Sequence, residues 1–233
     1  MTSGTLQEVA VVDTKTSVVV NKPSTWSWEQ AAALPLVWLT SRTTIAAVEP
    51  YVKNKKVVVL GGSSSTGMYA VYLAAQRGWD VLATCSSRNA DFVKSMGAIS
   101  IVDYNNSPVR QLVKEFAPDA IIDCVGGTEC LDIAKRYVTI VGDKTSRSSM
   151  GGAAIYLWHP KMLMRMLMGK YGLSELKYDC LNLELKKPWL EETVSLPQDK
   201  IIIDSTWKFD QVREAFERLN TSRARGKVVV TVA

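Results

Sequence analysis

Two glycines and a run of hydroxyl side chains stand where a short apolar segment gives way to a helical pattern. In the segment GGSSSTG the frame is Gly62-x-Ser64-x-x-Gly67, close to the dinucleotide fingerprint G-x-G-x-x-G but with serine in the middle. A helix N-terminus leaves backbone N–H groups unpaired and carries a partial positive charge, so it can hold a pyrophosphate. A serine-rich turn without a ligand is the alternative, but the apolar and helical segments around it favour a nucleotide site.

The residues that end the next apolar run indicate which nucleotide would bind. Sites for NAD usually place Asp or Glu there, to accept hydrogen bonds from the ribose hydroxyls. This chain has Ser86, Ser87, Arg88 and Asn89, with no acid before Asp91. Hydroxyls and a guanidinium suit a 2′-phosphate, because guanidinium and phosphate pair strongly. The pattern predicts NADPH rather than NADH, the alternative being that Arg88 only opens a solvated helix.

Strands and helices alternate around these residues. The apolar run Val57–Leu60 suits a buried strand of a parallel sheet, a helix follows the turn and ends at Gly78, and Val81–Cys85 is the second strand. This alternation predicts an α/β fold with a doubly wound parallel Rossmann sheet and right-handed crossovers. The further predicted strands are Ile99–Asp103, Ala120–Cys124, Tyr137–Val141 and Tyr178–Leu183, and the further helices Asn89–Met96, Pro108–Phe116 and Glu129–Ala134.

The two ends of the chain follow other patterns. Val9–Val12 and Ser17–Val20 resemble strands, too few to stand alone. Ser27 and Gln30 form a capping box that predicts a helix, which Pro35 interrupts. After a polar segment at residues 143–152, interpreted either as a lid carrying Lys144 and Arg147 or as a solvated loop, we predict a methionine-rich helix. The remaining predicted elements are helices Trp189–Leu196 and Asp210–Leu219 and strands Lys200–Thr206 and Lys227–Val232.

Composition excludes several functions. The net charge is +5, but the basic residues are scattered, so we predict no binding to nucleic acid. We predict that no apolar run is long enough to span a membrane, and no N-terminal segment resembles a signal or transit peptide. The four cysteines form no C-x-x-C pair and the single histidine, His159, has no ligand partner at metal-binding spacing, so no metal site is predicted. We expect a reducing compartment, the cytosol, and a small-molecule substrate.

Several stretches together carry a resemblance to a known family. They are GTLQEVAVVD, EQAAALPLVWLTSRTTIAA, VVVLGGSSSTGMYAVYLA, MGAISIVDYNN, AIIDCVGG and FDQVREAFERLNTSRARGKVVVTV. Their order and spacing resemble the medium-chain dehydrogenase/reductase superfamily, in its zinc-free branch of quinone oxidoreductases and enoyl reductases. Within that branch, GGSSSTG and ATCSSRN are similar to fungal trans-acting enoyl reductases and to fungal zinc-binding-type oxidoreductases.

The resemblance implies an oxidoreductase that transfers a hydride from NADPH to an activated double bond of enoyl or quinone type, as in fungal secondary metabolism. It implies no catalytic side chain, and Lys144 and Tyr156 are candidates by position only. It implies three groups of cofactor contacts. These are Gly62, Ser64, Ser65, Thr66 and Gly67 at the pyrophosphate, Ser86, Ser87, Arg88, Asn89 and Tyr104 at the 2′-phosphate, and Val141 and Gly142 at the nicotinamide.

The resemblance also implies an incomplete GroES-like β domain built from both ends of the chain. Residues 1–26 would be its remnant, residues 27–199 the NADP-binding Rossmann domain, and residues 200–233 the segment that returns to the β domain. A non-catalytic NADPH-binding protein is therefore the second interpretation. A methyltransferase is disfavoured because Ser86 and Ser87 replace the expected acid, and a zinc alcohol dehydrogenase because its ligands are absent. By analogy with the family, we expect a homodimer joined through the strand near Tyr178–Leu183.

Overall fold

The computed structural model of the protein describes residues 5–143 and 159–232, and the chain divides into two units. One unit is Thr40–Asn182, and the other combines Met1–Leu39 with Leu183–Ala233. The domain boundaries expected after residues 26 and 199 stay a prediction.

The helices and strands follow one another in the order expected for alternating α/β structure. The helices are α1 (Trp28–Ala33), α2 (Pro35–Val48), α3 (Gly67–Gln76), α4 (Ala90–Ser95), α5 (Val109–Phe116), α6 (Pro160–Lys170), α7 (Lys187–Glu191) and α8 (Val212–Asn220). The strands are β1 (Lys56–Leu60), β2 (Asp80–Cys85), β3 (Ser100–Asp103), β4 (Ala120–Asp123), β5 (Arg136–Thr139), β6 (Lys177–Cys180), β7 (Ile203–Lys208) and β8 (Lys227–Thr231).

A six-stranded parallel sheet forms the centre of the unit Thr40–Asn182. Its order is β3-β2-β1-β4-β5-β6, with every neighbouring pair parallel. Strand order therefore reverses between β1 and β4, the position at which open α/β sheets bind ligands beyond the carboxyl ends of their strands. The predicted doubly wound Rossmann fold is confirmed.

The first strand and the first crossover helix explain why this sheet forms. Val57, Val58 and Val59 have no solvent exposure, as a central strand covered on both faces requires. In α3 the small residues Ala70 and Ala74 are completely buried, which allows the helix to approach the sheet closely. The helix stops at Gly78, whose φ of +68° lies in the left-handed region that glycine adopts without strain.

The unit formed by the two ends of the chain has a smaller sheet. Strands β7 and β8 pair in parallel, and α8 connects them. Asp204 on β7 accepts two hydrogen bonds from the Arg218 guanidinium, at 2.6 and 2.8 Å, and a third from the backbone N–H of Arg225 at 2.8 Å. The predicted capping box is confirmed, since Ser27 Oγ accepts from Gln30 N at 3.2 Å and Gln30 Oε1 accepts from Ser27 N at 2.9 Å.

Two expected strands near the N-terminus are absent from the described chain. Val9–Val12 and Ser17–Val20 have no regular structure, and Val9 and Val11 are 77% and 95% exposed. A strand persists only when its backbone groups pair with a neighbour. The described residues offer none here, and instead the N–H groups of Thr16 and Ser17 turn back to the carbonyl of Asp13 at 3.2 and 3.0 Å.

The prediction of a helix at Glu129–Ala134 is also wrong. This segment forms successive tight turns, with Leu131 N donating to Thr128 O at 3.4 Å and Ile133 N to Cys130 O at 3.3 Å. The guanidinium of Arg110 explains the difference, because it donates to the carbonyl oxygen of Glu129. That carbonyl would otherwise accept the hydrogen bond that continues a helix.

The expectation that no segment could span a membrane needs correction. The helical stretch Trp28–Tyr51 has 24 residues and is long and apolar enough to cross one, judged by length and composition. The sequence analysis divided this stretch at Pro35, but Pro35 opens α2 directly after α1. Within the described chain, 56% of the most apolar 18-residue part of this stretch is buried. The core helix of a water-soluble protein has the same property, so length and composition are weak evidence for a membrane segment here.

Candidate nucleotide-binding site

The glycine turn after β1 is held in place by the end of β2. Gly61 N donates to Thr84 Oγ1 and Gly62 N donates to the carbonyl of Thr84, both at 2.8 Å. Thr84 is buried, so these bonds are shielded from water. The turn is thereby fixed at the carboxyl end of the sheet. Sequence reasoning gave Thr84 no role, because its position inside a mostly apolar strand gave no signal.

The first and last glycines of the fingerprint frame lie where a side chain would not fit. A Cβ atom on Gly62 would lie 2.8 Å from Ala83 Cβ, and one on Gly67 would lie 2.1 Å from the carbonyl oxygen of Gly61. Glycine at these positions lets the turn and the helix approach the sheet closely, which is the role of glycine in dinucleotide-binding turns. The backbone of this turn is therefore left open to a ligand such as a pyrophosphate, without side chains at Gly62 and Gly67.

Serine at the middle position accepts a hydrogen bond from the first N–H of α3, although Thr66 is the N-cap residue. Ser64 Oγ accepts from Gly67 N at 3.0 Å, and Ser64 N donates to the carbonyl of Gly61 at 2.9 Å. Within the described ranges, the backbone N–H groups of Ser63 and Thr66 have no acceptor, and both residues are partly exposed. Ser65 lies between them in the same turn. The N–H groups of Ser63 and Thr66 are suitable donors to a phosphate at the start of α3.

The residues predicted to bind the 2′-phosphate follow β2 directly. Ser86 is 9% exposed, and its Oγ atom is buried without a hydrogen-bond partner in the described chain. Ser87–Asn89 form one 3-10 turn closed by Asn89 N donating to the carbonyl of Ser86 at 2.9 Å. Arg88 is exposed. A phosphate group would accept a hydrogen bond from the buried hydroxyl of Ser86 and would pair with the exposed guanidinium of Arg88.

An acidic side chain lies beside this turn, at the end of β3. Asp103 pairs in register with Cys85, and its carboxylate accepts from Asn105 N, Asn105 Nδ2 and Asn106 Nδ2, each at 3.0 Å. The backbone N–H of Asn105 and these side-chain amides hold the pKa of Asp103 below its usual value. The negative charge is therefore already compensated by N–H donors. Tyr104, the next residue, is 56% exposed.

The segment predicted to contact the nicotinamide, Val141 and Gly142, follows β5, and a side chain at the end of the neighbouring strand β4 is linked to it. Asp123 at the end of β4 accepts from the backbone N–H groups of Val125 and Gly126, at 3.0 and 2.8 Å, and from Thr139 Oγ1 at 2.8 Å. Thr139 Oγ1 in turn accepts from Val141 N at 3.2 Å and Gly142 N at 3.0 Å. Burial of the carboxyl group raises the pKa of Asp123.

The predicted site residues thus all lie at the carboxyl edge of the six-stranded sheet. All twelve lie in the unit Thr40–Asn182, after the carboxyl ends of β1, β2, β3 and β5. Sequence reasoning missed Asp123 and Thr139. A signal for Asp123 was available, because an acid that ends an apolar strand of a parallel sheet lies at the edge where such sheets bind ligands.

Lys144, Arg147 and Tyr156 lie outside the described residues. Among residues 5–143 and 159–232, no group of three or more His, Cys, Asp or Glu side chains could hold a metal ion. Cys124 is buried against the turn, and burial raises the pKa of its thiol, so it remains protonated.

Comparison with known proteins gives matches over most of the chain. The family model described as zinc-binding dehydrogenase matches residues 96–230. The NAD(P)H oxidoreductase RTN4IP1, mitochondrial, of Homo sapiens is 30% identical over 247 residues, covering 98% of this chain and 61% of that protein. A probable zinc-binding oxidoreductase, mitochondrial, of Arthroderma benhamiae is 28% identical, covering 93% of this chain and 66% of that protein. The chain therefore spans about three fifths to two thirds of the length of these relatives.

A solved structure shows the same fold. The quinone oxidoreductase from Coxiella burnetii aligns with a TM-score of 0.72 over 92% of this chain and 64% of that chain, at 24% identity. At this identity the likeness extends to the fold alone.

The names of the relatives correct the predicted compartment. Both are named mitochondrial, which overturns the prediction of the cytosol. That prediction rested on the lack of an evident leader within 233 residues. A chain that covers 61% of its human relative cannot be assigned a compartment by that argument.

Proposed function

This chain belongs to the medium-chain dehydrogenase/reductase superfamily, whose zinc-binding dehydrogenase model matches more than half of it, and we propose that it is an NADPH-dependent oxidoreductase. Its substrate class would be an activated double bond, in a quinone or an enoyl compound. The names of the relatives support the oxidoreductase class, as an NAD(P)H oxidoreductase and a zinc-binding oxidoreductase. The choice of NADPH rests on this chain's own residues, and the substrate class rests on the resemblance to zinc-free quinone oxidoreductases and enoyl reductases.

The observation that carries the cofactor proposal is the buried Oγ atom of Ser86. A buried hydroxyl without a partner costs free energy, typically about 1–3 kcal/mol. A 2′-phosphate at the end of β2 would accept its hydrogen bond and would also attract the exposed guanidinium of Arg88. NADH has a hydroxyl in that position and no charge to pair with Arg88. The residues present therefore fit NADPH better than NADH.

In the proposed mechanism the protein binds and orients, and the nicotinamide, when bound, supplies the hydride. The turn Gly61–Gly67 would hold the pyrophosphate through backbone N–H groups and through the partial positive charge of α3. Ser86 and Arg88 would fix the adenosine end. Val141 and Gly142 would contact the nicotinamide through their backbone. Correct orientation of the transferring atom is the contribution that these residues would make to the rate.

Titration calorimetry tests the cofactor proposal. The chain is titrated with NADPH and with NADH, and the same titrations are repeated on Arg88→Gln. We expect tighter binding of NADPH to the wild type, with about a tenfold loss in Arg88→Gln for NADPH and no loss for NADH. Equal affinity of the wild type for both nucleotides would contradict the NADPH assignment. Binding of neither would overturn the nucleotide site.

Turnover is tested separately from binding. NADPH consumption is followed at saturating nucleotide with a quinone and with an enoyl thioester as acceptors. Oxidation of NADPH that depends on either acceptor would support the reductase. Tight binding without turnover would instead identify a nucleotide-binding protein that is not itself catalytic, the second interpretation of the sequence.

We further propose that two copies associate through the outer edge of β6. This strand ends the sheet, so the described residues place no strand on its far side. An exposed strand edge readily pairs with another chain. Sedimentation over a range of concentrations tests this: a monomer at all concentrations would contradict the proposal.

A further inference from the structure

A buried carboxyl group and a buried hydroxyl connect the loops that follow β4 and β5. Asp123 and Thr139 are register partners on these neighbouring strands, and Thr139 Oγ1 donates to Asp123 Oδ2 at 2.8 Å. Asp123 has no solvent exposure and Thr139 has 1%. The pair therefore forms a fixed link between the carboxyl ends of two strands.

Each member of the pair also holds the loop that follows its own strand. Asp123 Oδ1 accepts hydrogen bonds from the backbone N–H groups of Val125 and Gly126. Thr139 Oγ1 accepts hydrogen bonds from those of Val141 and Gly142. Four backbone donors are thus satisfied by two side chains. Without these acceptors the loops would have to find other partners for these N–H groups at a partly buried edge, or change shape.

The glycines in these loops turn the backbone sharply. Gly126 has a φ of +84° and Gly142 a φ of +75°, both in the left-handed region. A Cβ atom on Gly142 would lie 3.0 Å from Met162 Sδ, so α6 also packs against this turn. The loop after β5 is therefore shaped by glycine conformation, by packing and by the hydroxyl of Thr139.

A carboxyl group is an expensive choice for this position if only stability matters. No lysine or arginine side chain in the described part of the chain pairs with Asp123. Burying an acid in this way costs free energy that an apolar residue would not cost. The arrangement is explained if the shape of the two loops, rather than the stability of the core, is what the pair provides.

The topology shows which part of a dinucleotide these loops would meet. The strand order reverses between β1 and β4, and the pyrophosphate would lie at the turn after β1. The loop after β2 would meet the adenosine half, on one side of this point. The loops after β4 and β5 lie on the other side, where the nicotinamide half would extend.

We propose that Asp123 and Thr139 are positioning residues that shape the loops after β4 and β5 for the nicotinamide half of NADPH. The inference rests on the proposed function, because it presumes that the dinucleotide binds at this edge. Neither side chain is assigned contact with the nucleotide. The backbone of Val141 and Gly142 makes that contact, and its geometry depends on the pair.

The test separates the two halves of the cofactor. Adenosine 2′,5′-bisphosphate carries the adenosine half and the 2′-phosphate but no nicotinamide. Calorimetry with this compound and with NADPH is applied to the wild type, to Thr139→Val, which removes the hydroxyl at nearly constant volume, and to Thr139→Ser, which keeps it. We expect Thr139→Val to lower the affinity for NADPH about tenfold while the affinity for the bisphosphate stays within about twofold. Thr139→Ser should restore NADPH affinity.

A second variant covers the case in which Thr139→Val does not fold. Asp123→Asn keeps an acceptor for Val125 and Gly126 but cannot accept the Thr139 proton in the same geometry. Thermal unfolding identifies which variants are folded, and Asp123→Asn should show the same selective loss for NADPH. Unchanged NADPH affinity in the folded variants, or an equal loss for both ligands, would overturn the inference and leave the pair a role in folding alone. If the wild type binds the bisphosphate and NADPH equally well, the nicotinamide half makes no contact and the inference also fails. Binding of neither ligand to the wild type would overturn the proposed function itself.

Discussion

The hydroxyl of Thr139 lies 2.8 Å from the carboxyl group of Asp123, and both side chains are buried at the carboxyl edge of the sheet. The bond joins two strands of four residues each, too short for their own ladder to determine the conformation of the loops beyond them. Side chains at the strand ends therefore decide the shape of this edge.

Gly67→Ala should weaken nucleotide binding as well as folding. The added Cβ atom would lie 2.1 Å from the Gly61 carbonyl, so the start of α3 must move away from the turn. We expect a loss of about 1–3 kcal/mol in the free energy of unfolding and at least a tenfold loss of NADPH affinity. Chemical unfolding and calorimetry measure the two effects.

Gly78→Ala is the matched control for this variant. It also strains α3, because Gly78 has a φ of +68°, but its Cβ atom would have no neighbour within 4 Å. It should cost about 1 kcal/mol of stability and leave the nucleotide affinity unchanged. Equal NADPH affinities for the two alanine variants would show that the Gly67 turn is not the pyrophosphate site.

Ser86→Ala should separate stability from binding. The Oγ atom is buried without a partner, so its removal from the free protein should leave the free energy of unfolding unchanged or raise it by up to about 1 kcal/mol. NADPH affinity should fall about fivefold to tenfold, and NADH affinity should not change. Ser95→Ala, the same change at an exposed position of α4, is the control and should alter neither affinity. A parallel loss for both nucleotides would contradict the assignment of this hydroxyl to the 2′-phosphate.

Asp123→Asn should change the pH dependence of stability. The pKa of Asp123 is raised by burial from its ordinary value of 3.8. The unfolded chain therefore loses this proton at a lower pH than the folded protein, and the carboxyl group destabilises the fold increasingly as pH rises above 3.8. The free energy of unfolding of the wild type, relative to that of Asp123→Asn, should fall from pH 4 towards neutrality until it levels above the folded pKa. A difference independent of pH would refute the raised pKa.

Arg218→Gln should show the opposite dependence. The Arg218 guanidinium is the main cause of the lowered pKa of Asp204, whose ordinary value is 3.8. The stabilisation from Asp204 is then present above pH 3.8 and disappears as pH falls through the folded pKa. The variant should be less stable than the wild type at pH 7, and the gap should narrow in acid. Arg213→Gln, which breaks an exposed pair with Glu217 on the same helix, should have little effect at any pH.

The sequence predicted the central sheet well because its signals are local and agree with one another. An apolar run, a glycine turn and an alternation of small and large residues in α3 all favour the same strand-turn-helix unit. The strands expected at Val9–Val12 and Ser17–Val20 failed for the complementary reason. Apolar alternation gives a segment the capacity to form a strand, but pairing requires a neighbour that local sequence does not reveal.

The candidate site was predictable where one segment supplies it and not where distant segments meet. Gly62 and Ser86 could be identified from their order after two strands. Thr84, Asp123 and Thr139 act through bonds to residues on other segments, and such bonds depend on strand register. Arg110 is a similar case, because its bond to the carbonyl of Glu129 replaces an expected helix and joins residues 19 positions apart.

The hydrogen bond from Gly67 N to Ser64 Oγ has a consequence for how a nucleotide would be received. In a turn with glycine at the middle position, this N–H would have no side-chain acceptor before the phosphate binds. Here a serine side chain satisfies it beforehand, so the turn acquires its shape when the chain folds. Binding then involves little loss of backbone freedom in the turn, and the affinity is not reduced by the cost of ordering it. The site is preorganised by the residue that departs from the glycine fingerprint.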